Sequence, residues 1–341
     1  MNFFTDLVNS NYQYLMSTRK SDFTIHKKII VVTGGAGFLG RNLCNKLLEN
    51  PTNHVVCVDN LITGSFNNIQ EFLNNDNFTF INEDIVSLNF VNTFHFLPRL
   101  DEIYHLACIA SPDKYKLYSI ETLITCFQGT KNVLDLAKKY NSKLLFTSTS
   151  EIYGDPLVHP QTEDYYGNVN TMGERSCYDE GKRVAETLIY EYKNKFDLDL
   201  KVVRIFNTYG PYMDLNDGRV ITNFIKQIEH VNSVVIYGSG NQTRSFCYVD
   251  DMIYGLLRMM QSKEKGPINI GNPNCEVTLF ELVKIFEKVT NKNVDIQHVA
   301  ETQNDPKQRK PDITQAREKI GFEPKILLEE GIKKTWDFFH K

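Results

Sequence analysis

The stretch Lys28-Ile29-Ile30-Val31-Val32-Thr33-Gly34-Gly35-Ala36-Gly37-Phe38-Leu39-Gly40 decides the fold. Its opening residues are mostly β-branched and apolar, the composition of a strand buried in a parallel sheet. Glycines follow without a spacer, and Leu39, Leu43 and Leu47 then recur at helical spacing with Leu48 beside them, so the loop opens a helix. Strand, glycine loop and helix start form an anion site. The glycines let a ligand approach the backbone, and the unpaired N–H groups at the positive end of the helix dipole hold a pyrophosphate. This points to Gly34, Gly37, Phe38, Leu39 and Gly40 as cofactor contacts. A second run, His54-Val55-Val56-Cys57-Val58, ends in Asp59 and Asn60, about 20 residues beyond the glycines. A carboxylate there binds the adenosine ribose hydroxyls and repels a 2′-phosphate, which selects NAD over NADP.

The alternation continues downstream. Phe78–Ile81 is closed by Asp84-Ile85, and Glu102-Ile103-Tyr104-His105-Leu106-Ala107 follows. A long helix is expected near 119–139, and the strand Lys143–Phe146 runs into Ser148-Thr149-Ser150-Glu151. Strands alternating with helices predict an α/β fold, a Rossmann-type doubly wound parallel sheet. Ligands on such sheets sit beyond the carboxyl ends of the strands. The glycine loop, Asp59, Asp84, Ile85, Leu106 and Thr149 all fall at such ends. After Arg204–Asn207 the alternation loosens, with loops marked by Pro211, Gly218, Gly238 and Gly240. Pro267-Ile268-Asn269-Ile270-Gly271 returns as a short strand, and Thr278-Leu279-Phe280-Glu281 is a capping box opening a helix to about Thr290. The expected division is an N-terminal extension over 1–27 and a dinucleotide domain over 28–207 plus about 246–272. A smaller, C-terminal substrate-binding lobe is expected over 208–245 and 273–341.

Composition narrows the function classes. The 341 residues carry a net charge of −4, with 41% hydrophobic and 23% charged residues. No global positive field exists to hold nucleic acid, so an anionic substrate needs locally placed arginines. The seven cysteines and eight histidines are dispersed without metal-ligand spacing, which fits a reduced, cytoplasmic compartment and no metal. No apolar run is long enough to span a membrane, and Asp6, Asn9 and Asn11 interrupt any signal-peptide core.

Thr149-Ser150-Glu151 and Tyr178-Asp179-Glu180-Gly181-Lys182 carry the chemistry. A tyrosine and a lysine four residues apart on a helix share one face. There the ammonium can lower the phenol from its usual value of about 10 and make it a base near neutral pH. Thr149 supplies a second hydroxyl and Glu151 a carboxylate.

The glycine motif with a downstream Tyr-x-x-x-Lys resembles the extended short-chain dehydrogenase/reductase superfamily of nucleotide-sugar enzymes, and residues 28–341 can be followed against its plan. Several strings look like those of its UDP-glucuronate decarboxylase (UDP-xylose synthase) branch: Ser148–Pro156, Arg175–Thr187, Arg204–Pro211, Asn216–Val220, Tyr237–Gly240 with Gln242-Thr243-Arg244, and Arg309–Asp312. In that superfamily the 4,6-dehydratases usually carry an aspartate where Ser150 stands, and the C4-epimerases usually lack the glutamate.

The resemblance implies NAD as cofactor and UDP-glucuronate as substrate, oxidised at C4 so that the C5 carboxylate becomes a β-keto acid and leaves as CO₂. It assigns Tyr178 as base, Lys182 as its partner and a ribose contact, and Thr149 as a sharer of O4. Ser150 and Glu151 border the carboxylate, with Glu151 either raising its energy or positioning a proton donor. Arg309 falls near C4 and C5, as a source of the C5 proton. Asn207, Arg219 and Arg244 go to the diphosphate-uridine arm, Tyr115 to the sugar, and Tyr237 to the substrate without a stated part of it. A homodimer through a four-helix interface is also implied. Two positions depart from the pattern: Cys126 replaces a common asparagine and Tyr212 a common arginine. The rival readings are a 4,6-dehydratase, an epimerase or a silent NAD-binding regulator.

Overall fold

The computed structural model describes residues 27–300 and 308–340. All of the N-terminal extension but Lys27 therefore lies outside the described residues. The elements that position the site are, in chain order, β1 (Lys28–Thr33), α1 (Phe38–Leu48), β2 (Asn53–Val58), β3 (Phe78–Ile81), β4 (Glu102–His105), α2 (Ser119–Ile124), α3 (Thr130–Tyr140), β5 (Lys143–Thr149), α4 (Ser176–Phe196), β6 (Leu200–Ile205), α5 (Val249–Gln261), β7 (Ile268–Ile270) and α6 (Leu279–Thr290).

The seven strands form one sheet in the order β7-β6-β5-β4-β1-β2-β3, with every pairing parallel. Side chains alternate across a pleated strand, and β1 divides accordingly. Ile30 and Val32 enter a core with α1 and α5, while Ile29 and Val31 enter a second core with α3 and α4. Helices thus cover both faces, which is why β1 and β2 read as nearly unbroken apolar runs. Fully burying each such aliphatic side chain contributes roughly 1.5–3 kcal/mol.

Register brings the strand ends together. Thr33 pairs with Val58 on one side and His105 on the other, and Thr149 pairs with Ile205. Helix α4 is locked to this sheet through Glu186. Arg204 on β6 donates Nη2 to Glu186 Oε2 at 2.8 Å, and Ser148 on β5 donates to Oε1 at 2.5 Å. Arg204 also donates to the Tyr153 hydroxyl, which in turn donates to Asn269 on β7.

The long helix expected near 119–139 forms, with an irregular turn inside it. A π-helical turn over Thr125–Gly129 separates α2 from α3, which runs on to Tyr140. Gly129 packs so closely on Ile85 that an added Cβ would fall 2.5 Å from the Ile85 side chain. The capping box forms as expected, Thr278 accepting from the Glu281 amide and Glu281 accepting from Thr278 N. A three-stranded ribbon orders Glu276–Thr278, Thr243–Ser245 and Gln308–Arg309, and sets Arg309 beside Arg244 in parallel register. Gln161 straps this ribbon: its amide N–H donates to the Lys310 carbonyl, and its Oε1 accepts from Lys310 N.

Candidate active site

The carboxyl ends of the strands open into a cleft of about 1270 Å³. One drug-sized ligand needs roughly 300–1,000 Å³, so the space suits a dinucleotide and a second ligand together. Every residue assigned from the sequence to cofactor, chemistry or substrate lines this cleft.

At the cofactor end, Gly34 has φ +74°, and a Cβ there would lie 2.8 Å from the Ala107 nitrogen. A Cβ on Gly40 would come 2.1 Å from the Gly34 carbonyl oxygen. Only glycine lets the first turn of α1 rest on the loop. Gly37 caps α1 without a side-chain hydrogen bond, leaving the first-turn amides of Phe38, Leu39 and Gly40 for an anionic acceptor. Asp59 accepts from Ala36 N at 3.0 Å and from Leu61 N at 2.8 Å. Burial pushes its carboxyl pKa up, and those two amides oppose the shift. Asn60 donates to Asp84 at 2.9 Å, and Ile85 and Leu106 complete the wall. This donor set fits the pyrophosphate and adenosine ribose of a dinucleotide.

Tyr178 and Lys182 stand one turn apart near the start of α4 and are both buried. Lys182 donates to the Thr147 carbonyl at 2.8 Å, and its ammonium sits 5.9 Å from the centre of the Tyr178 ring. The lowering expected from Lys182 is outweighed by burial. Burial pushes Tyr178 well above its ordinary value, the neighbouring Cys108 thiol adds to the rise, and a hydrogen bond with Thr149 is the first opposing influence. A phenol this buried needs another positive charge before it works near neutral pH. Neutral His105 braces the strand ends, bonding Thr33 at 2.8 Å and Thr130 at 3.1 Å; burial and then the Lys182 charge lower its pKa to about 3.

Thr149 ends β5 and caps the short turn Ser150–Tyr153, accepting from Glu151 N at 3.2 Å. That turn aims Glu151 at two guanidiniums. Arg309 engages both carboxylate oxygens, and Arg175 binds Oε2. Burial alone would raise Glu151, but the charges of Arg309 and Arg175 outweigh it and hold the carboxyl at about 2.

Two residues of this cluster escaped the sequence reading, Arg175 and Asp179. They lie four apart, Arg175 as the N-cap of α4 and Asp179 in its first turn beside Tyr178, and that spacing was the available signal. Arg175 lines the cleft, and its Nε is 4.0 Å from Asp179. Asp179 is buried, and its Oδ1 has no hydrogen-bond partner among the described residues. Burial and then the Glu151 charge raise Asp179 to about 7, against the pull of Arg175 and Arg309.

Tyr115 stacks on Tyr178 with ring centres 5.2 Å apart and planes 5° from parallel. Its hydroxyl is buried without a partner among the described residues. Arg219 donates to the Ala110 carbonyl and to Asp217, each at 3.1 Å, and Arg244 donates to the Thr243 carbonyl at 2.8 Å. Asn207 and the half-exposed Tyr237 border the same space. Where the resemblance expected arginine, Tyr212 adopts φ +70° and carries the Arg41 guanidinium over its ring at 3.5 Å, so a basic group from α1 is held there. The other departure, Cys126, lies with its sulfur 3.4 Å from that of Cys108.

Comparison with known proteins agrees with this geometry. The model of the NAD dependent epimerase/dehydratase family matches residues 30–271. UDP-glucuronic acid decarboxylase 6 of Arabidopsis thaliana is 49% identical over 314 residues, covering 92% of this chain and 89% of that protein. UDP-glucuronic acid decarboxylase 1 of Xenopus tropicalis is 45% identical over 315 residues, covering 92% of this chain and 73% of that protein. Among solved structures, UDP-glucuronic acid 4-epimerase from Bacillus cereus, in complex with UDP-glucuronic acid and NAD, superposes with a TM-score of 0.83. It is 28% identical, with 92% of this chain and 99% of that one covered. The chain belongs to the NAD dependent epimerase/dehydratase family and, within it, to the UDP-glucuronic acid decarboxylases.

Proposed function

We propose that this protein decarboxylates UDP-glucuronate to UDP-xylose with NAD as a recycled oxidant. The observation that carries the reading is the Glu151–Arg309–Arg175 cluster set beside Thr149 and Tyr178. Two guanidiniums against one carboxylate leave a net positive charge where the substrate's own carboxylate must be held.

NAD, which Gly34, Gly37, Asp59 and Lys182 would hold, would supply the hydride acceptor for C4 and a positive charge that favours the phenolate. Tyr178 takes the proton from O4 while Thr149 shares that oxygen. The C4 ketone turns the neighbouring carboxylate into a β-keto acid, so the electrons of the breaking C–C bond move onto O4. Thr149 and Tyr178 stabilise the resulting enolate by hydrogen bonding. Arg309, with Arg175 and Glu151, orients the carboxylate and the proton delivery to C5. Tyr178 returns its proton to O4 when the ketone is reduced. Ser150, where a dehydratase usually has an acid, puts no carboxylic acid at that position to protonate a departing hydroxyl. The dinucleotide is assigned to residues 28–207 with about 246–272, and the uridine diphosphate arm to 208–245 and 273–341, through Asn207, Arg219, Tyr237 and Arg244.

A homodimer through α2, the π-turn and α4 is part of the proposal. Ile120, Leu123, Ile124, Phe127 and Tyr190 leave substantial apolar area exposed there. A cytoplasmic location is supported by seven free cysteines. No helix among the described residues is long and apolar enough to cross a membrane. Trapping CO₂ from UDP-glucuronate tests the function: release that requires NAD supports it, and no release refutes it.

A further inference from the structure

Cys108 and Cys126 reach each other from different parts of the chain. Cys108 lies in the loop after β4, Cys126 in the π-helical turn, and their sulfurs are 3.4 Å apart. A disulfide needs about 2.05 Å, so the pair has to close by only about 1.4 Å. The two thiols differ in access. Cys108 is half-buried and lines the cleft, while Cys126 is buried behind it. They differ in charge as well. The hydrogen bond from Cys126 lowers Cys108 to about 7 against the cost of burial, with the Lys182 ammonium helping, whereas Cys126 is raised. A cleft-lining thiol of lowered pKa backed by a buried thiol of raised pKa is the arrangement of an attacking and a resolving cysteine. Among the described residues Cys44 and Cys57 also neighbour each other, but both are fully buried away from the cleft, and Cys177, which packs beside Cys108, is buried and turned to the Tyr115 carbonyl.

We propose that Cys108 and Cys126 form a reversible disulfide that switches the site off, with a low-molecular-weight disulfide as oxidant. The Cys108 thiolate attacks the reagent, forms a mixed disulfide and releases one thiolate. Cys126 then attacks the Cys108 sulfur and displaces the second. Two protein thiols are oxidised, one reagent disulfide is reduced to two thiols, and the two protein protons pass to those thiols.

The link between this bond and activity is mechanical. Cys126 packs on Gly181, between Tyr178 and Lys182, so closely that a Cβ there would lie 3.0 Å from its sulfur. Cys108 leads into Ala110 and Ser111, which hold Arg219 and the Asp217 carbonyl at 3.1 and 2.6 Å. Drawing the sulfurs together shifts the π-turn against α4, or the loop against the substrate arginine. In a reducing compartment such a bond is transient, and thiols reverse it.

The test is incubation of the whole protein with glutathione disulfide, followed by alkylation, peptide mapping and a parallel assay of CO₂ release. The expected result is a Cys108–Cys126 linked peptide with activity lowered about tenfold or more and restored by dithiothreitol. Cys126→Ala should instead accumulate glutathione on Cys108, because the resolving thiol is gone, and Cys108→Ala should form neither product. A bond between Cys44 and Cys57, no linked peptide, or equal inactivation of the Cys108→Ala/Cys126→Ala double variant would overturn the proposal. The peptide map does not depend on the substrate reading, so a wrong substrate and a wrong switch give different results.

Discussion

Arg309 grips the Glu151 carboxylate with both terminal nitrogens, Nη2 reaching Oε2 at 2.8 Å, across a sequence separation of 158 residues. The pair ties the turn after β5 to the three-stranded ribbon. Arg175 on α4 completes the tie.

Breaking this pair from one side leaves a buried, undercompensated charge. Arg309→Ala should therefore lower stability by about 3 kcal/mol in urea unfolding. The Arg309→Ala/Glu151→Gln double variant should lose less than the sum of the singles. Glu151 has a folded value of about 2 against an ordinary 4.5. Its contribution is present above 4.5 and is lost as pH falls through about 2. Glu151→Gln should flatten that acid limb.

Asp179 has the opposite sign. Its carboxyl is raised from 3.8 to about 7, so between those values the folded protein holds a proton that the unfolded chain has released. Stability from this group is full below 3.8 and falls as pH rises through about 7. Asp179→Asn should remove that slope, which urea midpoints at pH 5 and pH 8 will show. An unchanged slope would contradict the assignment.

Tyr178→Phe removes the proposed base and keeps the ring stacked on Tyr115. The expected loss in kcat is about 10²–10⁴-fold, with an unfolding midpoint close to that of the parent. Tyr115→Phe removes a buried hydroxyl that lacks a protein partner. It should leave stability equal or up to about 1 kcal/mol higher, while KM rises if that hydroxyl meets the sugar.

Asp59, proposed to select the cofactor, holds the glycine loop through Ala36 N. Asp59→Asn should weaken NAD about tenfold, the worth of about 1.4 kcal/mol, and narrow the preference over NADP. Fluorescence titration with the two nucleotides is the measurement. An unaltered ratio would place the ribose elsewhere.

The sheet was legible because its signals are local. Ile29 to Val32 announce a strand by composition, Gly34 and Gly40 a close approach, and Thr278 with Glu281 a helix start. What stayed hidden depends on residues far apart in sequence. The π-turn at Thr125–Gly129 reflects packing of Gly129 on Ile85 and of Cys126 on Gly181, neither of which periodicity records. Arg175 and Asp179 acquire meaning only when the turn after β5 brings in Glu151. The lowering assigned to Lys182 is outweighed because spacing gives a shared face but not the burial that dominates the Tyr178 phenol.

Proton NMR of UDP-glucuronate in D₂O with the protein and substoichiometric NAD tests the central claim most directly. The account predicts that UDP-xylose replaces the uronate, with deuterium at C5, CO₂ released and more turnovers than NAD molecules supplied. A product that keeps its carboxylate and differs only at C4, or a uronate left intact, would contradict it.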